Sequence, residues 1–288
     1  MSMRFACVQP AVNKRMPEQA KVDTAIRYID QATEAGVRLI AFPEGFPGPY
    51  IEEANWSATD VLSKKAKENN INIIFGEVER DPHEKDVKTY NLVAKLVDCN
   101  GNLVGSYARM QPAPDEVNFP LMDGKIISPG NEFFLHEVEG VKVGLLICSE
   151  IFAPELPRTL GLLGVDLIFA HVGGMLYELR DTWRCITWAR AIENLCYTST
   201  CLNLYGKEDG LAIIAGPEKI IAETSEEGML VADLDIDRLH WLRAQNESLE
   251  LPKPYRVVPG LLRYRRPELY TKLVDPDVEK LDFHKYRK

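Results

Sequence analysis

Apolar positions along the chain switch repeatedly between two spacings. Short runs with continuous apolar character alternate with longer stretches whose apolar residues recur every three or four positions. Phe5 to Val8 is a strand-like run. Residues 17–35 carry Ala20, Val22, Ala25, Ile26, Ile29 and Ala32 at helical spacing, and Gly36 fits a helix end. Val37 to Phe42 reads as a buried strand, residues 59–69 as a helix and Ile71 to Val78 as a strand. Tyr90 to Val97 and Leu103 to Tyr107 flank Asn100-Gly101, a strong hairpin signal. Val141 to Ile147 is another buried strand, followed by a helix from Pro154 to Leu163. The pattern continues as strand 165–170, helix 180–195, strands 196–203, 211–214, 218–223 and 229–234, and a last helix over 236–246. Residues 250–288, rich in Pro, Arg and Tyr, read as an extended tail.

This alternation predicts one α/β domain over 1–288, with helices covering the sheets. No repeat, low-complexity stretch or linker divides it. Composition agrees: 45% hydrophobic and 27% charged residues belong to a globular chain that needs no disulfide or metal for its core. A net charge of -9 argues against a nucleic-acid partner. No apolar run is long enough to span a bilayer, and the first residues do not form a signal peptide, so a cytoplasmic location with no membrane partner is expected. The six cysteines form no CxxC pair and read as thiols of a reducing compartment.

Two buried strands end in unusual residues. Val37–Phe42 runs into Pro43-Glu44-Gly45-Phe46-Pro47-Gly48, and Val141–Ile147 runs into Cys148-Ser149-Glu150. In α/β proteins ligand sites gather at the carboxyl ends of strands. A carboxylate and a thiol delivered there could meet, and a carboxylate can take a thiol's proton to make the reactive thiolate. Taken singly, Glu44 is as readily a loop residue, and a lone buried cysteine is more often a small core residue than a nucleophile. A third segment, Tyr107 to Glu116, follows the hairpin strand with a cation, two prolines and two acids.

Read together, these segments resemble the nitrilase superfamily of carbon–nitrogen hydrolases. Phe42 to Gly48 resembles the motif that holds the family's general-base glutamate. Gly144 to Glu150, with Pro154-Glu155, resembles the nucleophile motif. Ala6-Cys7-Val8-Gln9 matches the usual first strand, Trp188 to Asn194 resembles the RAxEN helix motif, and Arg265 to Tyr270 resembles the tail. The resemblance covers nearly the whole chain, in the expected order. It implies a four-layer α-β-β-α sandwich with an extended C-terminal tail, a homodimer formed through helices near the nucleophile, and no metal or cofactor. The catalytic set it implies is Glu44, Cys148, Glu116 and a lysine.

The lysine is the departure. Ala108 to Glu116 fits the frame RKxxPTxxE, with Pro112 and Glu116 in place, but Arg109 stands where Lys is expected. A guanidinium can steady an oxyanion or lower a thiol's pKa but cannot readily give up a proton. A second departure is Ser149, where strict nitrilases carry Trp. The expected activity is cysteine-dependent hydrolysis of a small amide or N-carbamoyl compound, or of a nitrile, through a thioester. The same thiol could also transfer the acyl group to another acceptor. The competing reading is a catalytically impaired relative that binds a small ligand or partner. Tyr50, Trp56, Phe119, Ser149 and His171 are the expected pocket lining, each with a plain structural alternative; for His171 that alternative is a tight turn after a strand.

Overall fold

The computed structural model describes residues 1–13, 16–50, 55–81, 89–112, 126–174, 177–206, 210–244, 262 and 265–275. Of the expected site residues, Glu116 and Phe119 lie outside these, as does most of the tail.

Two sheets face each other. The first has the order β13-β1-β2-β3-β4-β5, formed by Gly228–Asp235, Ser2–Gln9, Leu39–Ala41, Asn72–Arg80, Thr89–Val97 and Leu103–Ala108, with the short β6 (Ile126–Ile127) beside β4. The second runs β12-β11-β10-β9-β8-β7, formed by Ile220–Thr224, Ala212–Ala215, Tyr197–Leu202, Leu167–Val172, Val141–Ile147 and Leu135–Val138. The centre of each sheet is parallel: β1, β2 and β3 in one, β8, β9 and β10 in the other. Parallel strands with both faces covered read as continuous apolar runs, the pattern seen in the sequence.

Alternate residues of these strands enter different cores. Phe5, Cys7, Leu39, Ile74, Val143, Leu145, Leu167 and Phe169 meet between the sheets. Ala6, Val8, Ile40 and Phe75 point the other way, against Ala25, Ile29 and Ala32 of α1 (Glu18–Glu34) and Leu62 and Ala66 of α2 (Thr59–Asn69). Leu146, Ile168 and Ala170 pack outward on Leu156 and Leu160 of α3 (Glu155–Leu162) and Trp183 and Ala191 of α4 (Arg180–Asn194). Each fully buried Val, Leu, Ile or Phe among these contributes about 1.5–3 kcal/mol. The result is the expected α-β-β-α sandwich.

Two expectations change in detail, while the hairpin around Asn100-Gly101 forms between the expected strands. Val97 pairs with Leu103, and the five-residue connection is held by the Asp98 carboxylate, which accepts from the Asn100 and Asn102 amides at 2.9 and 2.8 Å. The last helix, α5 (Ile236–Arg243), stops three residues early. There the Arg243 guanidinium donates to the Leu195 carbonyl and the buried Asp166 carboxylate, fixing the helix end to the second sheet. β9 continues through His171 to Val172, so His171 is a strand residue and not part of a turn.

Candidate active site

Three chain segments converge at the carboxyl ends of the sheets. Glu44 leaves β2 through Phe42 and Pro43; the Phe42 amide still donates to the Ile74 carbonyl at 2.8 Å. The next strand must pass close beneath. A side chain at Gly76 would place its Cβ 2.5 Å from the Gly45 nitrogen, so glycine there lets the Glu44 turn lie on β3. The Glu44 carbonyl accepts from Asn203 Nδ2 at 2.9 Å, which ties the turn to the second sheet. Its side chain is 3% exposed and accepts from the Tyr50 hydroxyl at 3.0 Å. Burial and the neighbouring carboxylate push the Tyr50 phenol well up, so it remains a donor.

Cys148 opens a 3-10 turn, Cys148–Phe152, directly after β8. Its φ of 56° is left-handed, a conformation that costs a non-glycine residue about 1–3 kcal/mol and that aims the side chain off the strand end. The RAxEN segment is what holds this turn. Arg190 of α4 donates from Nε to the Ile151 carbonyl at 2.8 Å and from Nη2 to the Phe152 carbonyl at 3.2 Å.

Arg109 follows β5. Its backbone amide donates to the Leu92 carbonyl and its carbonyl accepts from Gly130, at 3.0 and 2.8 Å. The guanidinium is 1% exposed, with Nη2 donating to Ser149 Oγ at 2.6 Å and Nη1 4.0 Å from Glu44 Oε1. Glu44, Arg109, Ser149, Tyr50 and Cys148 are thus brought together. At Gly173 a Cβ would stand 2.6 Å from the Tyr50 hydroxyl and 3.1 Å from Glu44 Oε2, so only glycine leaves room beside the carboxylate.

The thiol's electrostatics differ from a pre-formed thiolate. Burial and the Glu44 charge push the Cys148 pKa up; the Arg109 charge and the Gly173 backbone N–H pull the other way and do not win. The resting group is a protonated thiol beside a carboxylate. Such a pair reacts by general-base transfer as the sulfur attacks.

His171 does not edge this pocket. It is fully buried on the inner face of β9, its ring edge-on to Phe169 at 4.6 Å, near the Phe42 and Pro43 carbonyls. Burial holds its pKa down at about 3, so it is a neutral support under the Glu44 turn. Trp56 packs against the core beneath α1 and α2. Among the described residues no group of three His, Cys, Asp or Glu side chains is placed to hold a metal ion, and no helix is long and apolar enough to cross a membrane.

Sequence reasoning missed Glu150. Its buried carboxylate accepts from the Ile147 amide at 2.7 Å and the Tyr107 hydroxyl at 2.8 Å on one oxygen. The other accepts from the Met110 and Gln111 amides at 2.7 and 2.9 Å. One side chain therefore binds the turn of Cys148 to the loop of Arg109. The only signal was a charge three residues beyond a buried strand. Glu150→Ala leaves two buried and two part-buried donors without their acceptor and is expected to cost about 3–5 kcal/mol. In a thermal melt that is a fall of about 10 °C; a shift below about 2 °C would remove the clamp from consideration.

Residues 4–244 match the carbon–nitrogen hydrolase family. The chain belongs to that family. The omega-amidase NIT2 of Xenopus tropicalis is 27% identical over 261 residues, covering 84% of this chain and 92% of that protein. The deaminated glutathione amidase of Synechocystis sp. is 28% identical over 243 residues, covering 77% and 88%. A carbon–nitrogen hydrolase from Helicobacter pylori G27 superposes with a TM-score of 0.76 at 18% identity, covering 95% of this chain and 98% of that one. A Nesterenkonia sp. AN1 amidase variant, whose active-site cysteine carries the acetamide moiety of fluoroacetamide, superposes with a TM-score of 0.73 at 22% identity, covering 94% and 96%. These likenesses carry the fold. The present chain is an enzyme of carbon–nitrogen bond hydrolysis; the competing reading of an impaired relative that only binds finds no support among them.

Proposed function

We propose that this carbon–nitrogen hydrolase acts on small amides, with Cys148 as nucleophile, Glu44 as general base and acid, and Arg109 as the cation that meets the oxyanion. The observation that carries the reading is the buried Glu44–Arg109 pair, Nη1 to Oε1 4.0 Å, standing over the left-handed turn of Cys148. The amidase names of the relatives favour amides over nitriles and N-carbamoyl compounds.

Glu44 takes the Sγ proton as sulfur bonds to the amide carbon, and the carbonyl electron pair moves onto oxygen. Arg109 and the Ser149 backbone N–H meet that charge. Glu44 then gives the proton to the nitrogen as the C–N bond breaks, releasing ammonia and leaving a thioester. Water loses a proton to Glu44 and attacks the thioester; the C–S bond breaks, and the thiolate recovers the proton from Glu44. Glu116, outside the described residues, would orient substrate or water, with Phe119 lining the acyl side.

Release of ammonia from a panel of short aliphatic amides, nitriles and N-carbamoyl amino acids tests the reading. The expected result is turnover of amides above the other two classes. Turnover of nitriles alone would overturn it.

We further infer a homodimer, supported by Phe152, Leu162 and Leu163, large apolar side chains left exposed on the nucleophile turn and at the end of α3. The six cysteines are all unpaired, which supports a reducing compartment such as the cytoplasm.

A further inference from the structure

Two departures from the motifs this chain resembles, Arg109 for Lys and Ser149 for Trp, touch one another in the fold at 2.6 Å. We infer that Ser149 is the seat of Arg109: its hydroxyl fixes the plane of the guanidinium beside Cys148, and the two residues work only as a pair. This rests on the role proposed above for Arg109, and it replaces substrate contact as the task of Ser149.

The backbone of Arg109 is held on both sides, by the Leu92 carbonyl and the Gly130 amide. The side-chain torsions are what remain to be set. A guanidinium is a flat fork, so contacts at two of its nitrogens define its plane. Here the two terminal nitrogens diverge, Nη2 to Ser149 Oγ and Nη1 toward Glu44. A lysine ammonium is a point charge on a flexible stem and could not take both directions as a rigid unit. Arg also needs more room than Lys. Residue 149 must then be small, and it must accept a hydrogen bond so that the buried charge is not left without a partner on that side. Serine meets both conditions.

Ser149 also shares its turn with the nucleophile. It follows Cys148 directly in the 148–152 turn, and Glu150, next in the same turn, clamps residues 110 and 111. Whatever moves Ser149 Oγ moves Sγ with it. The cation-to-sulfur geometry is therefore set by one turn rather than by two independent loops. Removing the hydroxyl takes away one of the contacts that set the guanidinium plane, which weakens its charge at the thiol and at the oxyanion alike.

The experiment uses the full-length enzyme, its Ser149→Ala and Ser149→Thr variants, and each in an Arg109→Lys background. Two quantities are read: kcat and KM for the best amide of the panel, and the iodoacetamide labelling rate of Cys148 at pH 8, followed by peptide mass spectrometry. Ser149→Ala is expected to lower kcat by about 10- to 100-fold with KM within about twofold. Labelling slows by about tenfold, because the thiol loses part of the cation's pull. Ser149→Thr keeps the hydroxyl and recovers both to within about threefold of the unmodified enzyme. With Arg109→Lys in place, Ser149→Ala causes no further loss. A rise in KM at unchanged kcat would make Ser149 a substrate contact and overturn the inference. So would an equal Ser149→Ala penalty in both backgrounds, or no effect in either readout. If no amide is turned over at all, the amidase reading fails while the labelling comparison still decides the pairing.

Discussion

Replacing Cys148 with Ala removes turnover and leaves the protein folded. The turn that carries residue 148 is held without the sulfur, by Arg190 on its carbonyls and by its own Glu150 on the strand before it. Alanine keeps the Cβ at the same left-handed φ, so no new backbone strain arises. Only the sulfur is lost, and with it the atom that forms the covalent intermediate. The expected fall in kcat is at least about 10⁴-fold, as for the loss of other enzyme nucleophiles. Ammonia release measures it, and intact-mass spectra taken during turnover should show an acyl adduct on the parent enzyme and none on the variant. Residual activity within about tenfold, or an adduct on another cysteine, would place the chemistry elsewhere.

Glu44→Gln should move two measurements in opposite directions. Turnover falls by about 10²- to 10⁴-fold, because the amide cannot take the thiol proton or return it to the leaving nitrogen. Labelling of Cys148 by iodoacetamide near pH 8, however, becomes faster. Burial pushes the thiol pKa up most, and Glu44 adds to it through its charge and its hydrogen bond. With the charge gone, Arg109 and the Gly173 N–H meet less opposition, the thiol pKa falls, and a larger fraction is thiolate at a given pH. Slower labelling together with slower turnover would mean that Glu44 shapes the pocket rather than moving the proton.

The sheet cores were legible because their strands are covered on both faces. Val141 to Ile147 has no polar alternation to confuse it, and its sequence-predicted limits are those observed. The edges were not. β7 is only four residues with three of them part-exposed, and β6 is two residues, too short for any periodicity to register. Glu44 and Cys148 drew attention as candidates because each sits where an apolar run stops, and Arg109 because the resemblance expects a lysine at that place. Glu150 and the Arg190 contacts were missed because what they do depends on backbone atoms far along the chain, up to 40 residues away. A donor or acceptor on the main chain leaves no mark in the amino-acid letters. The thiol's upward pKa was equally hidden: an ordered motif says which residues meet, while burial decides which of them holds the proton.

Glu44 and Arg109 hang from one sheet and Cys148 from the other, and the proposed base, cation and nucleophile meet across the seam between them. Neither sheet owns the reaction. A sliding of the two layers by an ångström would leave every strand and helix intact, and circular dichroism would record a native protein, yet the base would no longer reach the sulfur. The packing of Phe5, Leu39, Leu145 and Phe169 between the layers is therefore the ruler against which the chemistry is set. Turnover is in effect a gauge of how closely two sheets stay in register, and a change deep in the core can silence the enzyme without touching its mouth.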